Sequence, residues 1–389
     1  MTDQLQRLLK VAGDDRTEQA KAWDHWIDIW SQFSLDSFLQ SSYEAIMTKV
    51  PEKDQVGLEG LMDLLPWPQE AVRAYSVFSY TEQLDQSLVQ YLRDQLGQWW
   101  SPDMHRIKGG MFLLPEAFTK PNEYGWNENV HIYNRIHFNR RVNDIVYQYD
   151  SSNPNNNKVQ VKGYYTTSKR PFPIVEGDAV IVTTPVNILR QITFMASPNT
   201  NTPPPPTNFH KAIEDIFTGP STKIFLQTKS RFWEREPHPI DGGFSKTNLP
   251  IGQVHYPSNR DGNLADTEKG LLLIYTWKSE ALLFGSLDPD VALKEAVEQI
   301  ATIHPEIEEE FELGIVHAWY NQPAAQGAYG VLKPNQFNNV KWLWKPMCNV
   351  FFAGETFSTA SGWIQGALES GLKAAYQFYV RNEPDSVPV

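Results

Sequence analysis

The chain has a single cysteine, Cys348, in 389 residues, which excludes an internal disulfide framework and any cysteine-based metal cluster. No apolar run approaches the roughly 20 residues that a membrane-spanning helix needs, and Met1-Thr2-Asp3-Gln4 is too polar to open a signal peptide. There is no Asn-x-Ser/Thr acceptor with a non-proline middle residue. Read with Met1 as the start, these absences point to a cytoplasmic setting. Positive charge is short as well. The 34 basic residues stand against 46 acidic ones, a net charge of −12, which argues against a nucleic-acid footprint or an anionic membrane partner and in favour of small-molecule ligands. Among the 23 glycines no two are separated by one residue, so the G-x-G-x-x-G turn that seats a dinucleotide pyrophosphate on a helix N-terminus is missing.

What is present suits a folded protein of two or three domains. Apolar residues make up 41% and aromatics 13% of the chain, with 13 Trp, enough burial to offset chain entropy. Residues 1–100 read as amphipathic helices: aromatic and aliphatic residues recur at three- and four-residue spacing in Trp23-Asp24-His25-Trp26-Ile27-Asp28-Ile29-Trp30 and again over 84–99. The tryptophan stripe reads as core. From Gly109-Gly110 onward the character changes, because paired glycines allow positive φ. Strands are expected over 131–142 and 158–162, around the turn-rich 150–157, and over 178–185, and a helix over 288–303. The acidic 306–312 reads as a solvated face rather than a metal site.

Two stretches carry chemistry. In Ser221-Thr222-Lys223-Ile224-Phe225-Leu226-Gln227-Thr228, strand alternation puts Lys223 on one face with Phe225 and Gln227. A lysine there either has a partner or task, or sits on an edge strand facing water. The second stretch is Val350-Phe351-Phe352-Ala353-Gly354-Glu355-Thr356 followed by Ser361-Gly362-Trp363-Ile364-Gln365-Gly366-Ala367-Leu368-Glu369-Ser370-Gly371. It predicts a buried strand that ends at a ligand crevice, then a helix with small residues at Gly362, Gly366, Ser370 and Ala374. A nearly bare helix N-terminus there would favour a carbonyl or a developing negative charge. The same residues also suit a small-faced helix packed on another element.

The pattern F-A-G-E, a polar loop, then G-W-x-x-G-A-x-x-S-G resembles the C-terminal flavin signature of the flavin amine oxidase family, and its tryptophan is similar to the L-amino-acid oxidase branch. Further segments extend the resemblance: Gly109-Gly110-Met111-Phe112-Leu113-Leu114-Pro115, with Phe112 in place of the usual polar residue, then Thr222-Lys223-Ile224-Phe225-Leu226, Gly242-Gly243 and Gly270–Trp277. The resemblance implies FAD as cofactor and oxidation of an L-amino acid to a 2-oxo acid, with ammonia and hydrogen peroxide as products. By the same resemblance Lys223 is catalytic and holds a water near flavin N5, and Tyr275 orients the substrate carboxylate. Gly362 and Trp363 position amine and side chain, and Tyr329 and Trp363 form aromatic walls. Val142, Trp319, Gly354, Glu355, Gly362, Trp363 and Ile364 would meet the cofactor. A monoamine or polyamine oxidase, or a non-catalytic scaffold, is the alternative.

The implied fold class is α/β plus α+β. Residues 1–105 would form a helical lobe, 106–210 and 336–389 parts of a truncated, Rossmann-like FAD-binding domain, and 211–335 a mixed-sheet substrate domain. The chain resembles the C-terminal two-thirds of such an oxidase. The pyrophosphate turn and the carboxylate-gripping arginine belong to a preceding segment in family proteins. A complementing N-terminal chain, or a second copy in a homodimer, is therefore an expected partner alongside the amino acid or amine and oxygen.

Overall fold

A computed structural model describes residues 1–79, 83–97, 107–119, 132–198, 200–237, 239–258 and 265–382. The first of these segments are helical, as their spacing predicts. Helix Arg16–Trp30 starts where the Asp15 side chain accepts from the N–H groups of Thr17 and Glu18, an N-cap that satisfies two otherwise orphan donors. Trp26 and Trp30 are buried and Trp30 donates to Gln4 Oε1 at 2.7 Å, whereas Trp23 stays 38% exposed. The tryptophan stripe is thus core at two of its three positions.

Thirteen strands follow among the described residues: β1 Arg140–Gln148, β2 Lys158–Tyr165, β3 Val175–Gly177, β4 Val180–Val182, β5 Thr193–Ala196, β6 Phe217–Thr218, β7 Ser221–Thr228, β8 Phe244–Lys246, β9 Gln253–His255, β10 Gly270–Trp277, β11 Phe311–Ala318, β12 Gly330–Val331 and β13 Val350–Phe352. They form a four-stranded sheet in the order β3-β2-β1-β5, a five-stranded sheet β11-β7-β10-β9-β8, and the pairs β12-β6 and β13-β4. The strand expected from residue 131 starts later, at Arg140, because Tyr133–Arg135 form a 3-10 turn and Asn139 takes φ 59°; His131 lies outside the described residues. The helix expected over 288–303 is Pro289–Ala301. Gly109 and Gly110 adopt φ 90° and 105°, the conformation that paired glycines permit.

Two cores hold the molecule together. One joins the N-terminal helices, through Trp26, Trp30 and Phe33, to the four-stranded sheet, through Ile145 and Val159, and to Val350 and Phe352 of β13. The other lies between one face of the five-stranded sheet (Ile224, Leu226, Leu272, Ile274) and helices Lys278–Ser286 and Pro289–Ala301. The opposite face of that sheet, which carries Lys223, Phe225, Tyr275 and Trp277, is left half-buried. Among the described residues no helix is long and apolar enough to cross a membrane.

All three residues of β13 are buried, and the strand pairs in parallel with β4. The C-terminal helix Ile364–Asn382 then returns along it, with Gly366, Ser370 and Ala374 as its buried stripe. Gly362 lies outside the helix and is exposed, so the small-residue face has three members rather than four. A Cβ at Gly366 would stand 2.1 Å from the Ala360 carbonyl oxygen and 2.3 Å from Ser358 Oγ. Gly366→Ala is therefore expected to destabilise the protein by about 1 to 3 kcal/mol through overpacking, read as a lower urea midpoint. An unchanged midpoint would show that the loop before the helix is not close-packed against it.

Candidate active site

The half-buried face of the five-stranded sheet brings two of the expected site residues, Lys223 and Tyr275, together. β7 is an interior strand, so the edge position left open by the sequence does not apply to Lys223. In register, Lys223 faces Tyr275 on β10 and His317 on β11. Its ammonium lies over the Tyr275 ring, 4.6 Å from the centroid, a cation–π contact. Burial pulls the Lys223 pKa down, and burial followed by the nearby Lys223 charge does the same to His255 on β9, as expected for groups whose charged form loses hydration. His317 Nε2 is buried and has no hydrogen-bond partner among the described residues.

A row of aromatic rings continues from Tyr275. Trp277, two residues on and so on the same strand face, packs 4.5 Å from Tyr275 and 5.3 Å from Tyr329. Trp277 is not among the residues expected at the site, although strand alternation from Tyr275 marks it. Tyr329 lies against Gly362, where a Cβ would come within 3.3 Å of the tyrosine ring and where φ is 82°. Both features favour glycine at that position. Trp363 and Ile364 follow at the start of the C-terminal helix, 37% and 52% exposed.

Glu355 ties this loop to the rest of the site. Its Oε1 accepts from the Gly330 N–H at 3.1 Å and from Thr356 Oγ1 at 2.5 Å. Its Oε2 accepts from the Gly362 N–H at 2.8 Å and lies 2.7 Å from Ser361 Oγ, which is also 2.7 Å from the Gly330 carbonyl oxygen. Gly354, at φ 138°, donates its N–H to Ser370 Oγ at 2.8 Å. Strand end, loop and helix are thereby joined by hydrogen bonds.

Two expected residues stand outside the ring row, Trp319 beside His317 and Val142 in the other sheet. Trp319 follows β11 rather than sitting in it, as the first residue of the 3-10 turn Trp319–Asn321, with its ring 4.4 Å from His317. Val142 belongs to the four-stranded sheet, opposite Gly163 and beside a bulge. Tyr275 and Trp277 also line an open cavity of about 370 Å³, together with Ser76 and Val77 of helix Gln69–Ser79 and the loop from Thr247 to Gln253. Asp85 spans this junction, bonding Lys278 at 3.6 Å and Lys333 at 2.5 Å. No cluster of three or more His, Cys, Asp or Glu among the described residues could hold a metal.

The sequence profile of the flavin containing amine oxidoreductases matches residues 6–377. The chain belongs to this family. Family membership names the cofactor class as a flavin. Among relatives, the chain is 28% identical over 364 residues to the putative L-amino-acid oxidase YobN of Bacillus subtilis (strain 168), covering 92% of this chain and 65% of that protein. It is 30% identical over 274 residues to L-amino acid oxidase Cdc18 of Crotalus durissus cumanensis, covering 69% and 49%. A putrescine oxidase triple mutant with redesigned cofactor binding aligns with TM-score 0.49 and 18% identity over 62% of this chain and 49% of its own. The chain thus spans about two-thirds of one curated relative and about half of the other.

Proposed function

We propose that the protein oxidises the Cα–N bond of an L-amino acid, with FAD as cofactor and oxygen as final electron acceptor. The observation that carries this reading is the continuous row from Lys223 through Tyr275, Trp277 and Tyr329 to Gly362, which offers a hydroxyl, aromatic walls and a bare backbone along one surface. FAD, when bound, supplies the acceptor for the hydride that leaves Cα. The residues of the chain place the reactants. Tyr275 donates its hydroxyl to the substrate carboxylate, the Gly362 carbonyl accepts from the amine, and Tyr329 and Trp363 flank the substrate. Lys223 holds a water beside the ring. Trp319, Gly354, Ile364 and the Val142 backbone complete the cofactor surround, and Glu355, already engaged by donors of its own chain, sets the loop on which Gly362 and Trp363 stand. The released imino acid hydrolyses to a 2-oxo acid and ammonia.

Since no glycine turn suited to a pyrophosphate occurs in the sequence, that cradle is proposed to come from a dinucleotide-binding segment or partner chain. The exposed apolar side of the C-terminal helix, with Leu368, Leu372 and Tyr376 at 46%, 73% and 55%, supports a covering element there. The reading is tested by peroxide release from a panel of L-amino acids, using this chain and a version carrying a family dinucleotide-binding segment. Failure of the flavin-loaded extended form to oxidise any of them overturns it.

Tyr275→Phe distinguishes an amino acid from a simple amine as the substrate. Losing a hydrogen bond to a charged carboxylate is worth roughly 1.5 to 3 kcal/mol, so KM for the amino acid should rise about tenfold or more with kcat little changed. KM for an amine lacking a carboxylate should stay put. Equal effects on both substrates would remove Tyr275 from the carboxylate site.

A further inference from the structure

We infer that Lys223 is a carbonyl-reactive lysine, whose amine condenses with small 2-oxo acids to form a Schiff base. Its surroundings supply no counter-ion. Lys21, Lys158, Lys269, Lys333 and Lys341 each reach a carboxylate at 2.5 to 2.9 Å. Lys223 instead makes no ion pair or hydrogen bond among the described residues, and its nitrogen lies 4.6 Å from the centre of the Tyr275 ring. Directly across on the two flanking strands are Tyr275 and His317, and His255, opposite Leu273, stands in the next row of the same face. Two carboxylates of the surrounding elements are already taken: Glu312 by Gln227 and Lys269, and Asp85 by Lys278 and Lys333.

An ammonium so placed loses hydration without gaining an anion, which favours the neutral amine. Burial pulls the Lys223 pKa down, and protonation of the flanking histidines would add to this by repulsion. Desolvation and neighbouring cations are the two conditions that make a lysine nucleophilic near neutral pH. The neutral amine adds to the carbonyl carbon and the carbonyl oxygen leaves as water, so a C=N bond replaces a C=O bond with no oxidation or reduction. His255 and His317 beside the amine favour a carbonyl compound that carries its own carboxylate. Lys223 is half-buried rather than enclosed, which leaves it within reach of an acid as small as pyruvate. The inference involves neither flavin nor turnover and so stands apart from the oxidase reading.

The test treats this chain with pyruvate and cyanoborohydride, which reduces an imine to a stable secondary amine, and maps the label by mass spectrometry of peptides. At pH 7 Lys223 should be labelled several times faster than the exposed Lys10 and Lys211. Its labelling should persist as the pH falls while theirs fades, because a lowered pKa keeps part of the amine neutral there. Lys223→Arg should lose this label and keep the slow surface labelling. His317→Asp sets a carboxylate opposite the ammonium and should slow labelling of Lys223, since an opposite charge favours the charged form; circular dichroism checks that both variants are folded. With acetone in place of pyruvate the ratio of Lys223 to Lys211 label should fall, and an unchanged ratio overturns the preference for an acid. Label spread over the lysines in proportion to their exposure, or folded wild type with Lys223 unlabelled, overturns the inference.

Discussion

Replacing Glu355 with alanine is expected to destabilise the protein by about 3 to 5 kcal/mol, among the larger effects available to a single side chain. The carboxylate accepts from two backbone N–H groups and two hydroxyls that belong to three separate segments: β12 at Gly330, the turn at Thr356, and the loop at Ser361 and Gly362. Removing it strands the donors of Gly330 and Thr356, both buried, and each such loss costs roughly 1 to 3 kcal/mol. Gly362 is exposed, so water can replace the acceptor there. Glu355→Gln keeps the shape and one acceptor oxygen but turns an amide donor toward two of the four donors, so its loss should fall between wild type and alanine. The measurement is the thermal midpoint together with the fluorescence of the protein, to which the partly exposed Trp363 contributes. A midpoint for Glu355→Ala within a degree of wild type would show that the four bonds are dispensable and that something else holds the loop.

Lys223→Met should leave the fold largely intact and slow the chemistry. Methionine keeps the apolar stem and removes three donors and a charge. What the fold loses is a cation–π contact with Tyr275, worth about 0.5 to 2 kcal/mol, partly offset because burial already disfavours the ammonium. What the proposed reaction loses is a placed donor beside the ring, an effect of roughly 2 to 4 kcal/mol in transition-state stabilisation. Rapid mixing of the flavin-loaded variant with amino acid, and separately of its reduced form with oxygen, should show one half-reaction slowed by about tenfold or more. Unchanged rates in both would leave Lys223 as a sheet lysine with no part in the chemistry.

Local pattern was enough to read much of this molecule from its sequence. The apolar run Val350–Ala353 that stops at Gly354 holds a buried strand, Val350–Phe352, because each residue can face a packed surface, and small residues every fourth position become a buried helix stripe because 3.6 residues per turn bring them to one side. Lys223, Phe225 and Gln227 share a face because strand side chains alternate. The lysine's neighbours, however, were beyond any local rule. Whether β7 lay at an edge or in the interior depended on pairing with β10 and β11, which begin 49 and 90 residues later at Gly270 and Phe311 than β7 does at Ser221. Trp277 acquires meaning from Tyr329, and Glu355 from Gly330, across loops whose closure no periodicity encodes. The sequence by itself determined the elements, their buried faces and the family to which the motifs point. Only the tertiary structure decided which elements are neighbours, because sheet register and long-range hydrogen bonds are set by the simultaneous packing of both cores rather than by any one stretch of chain.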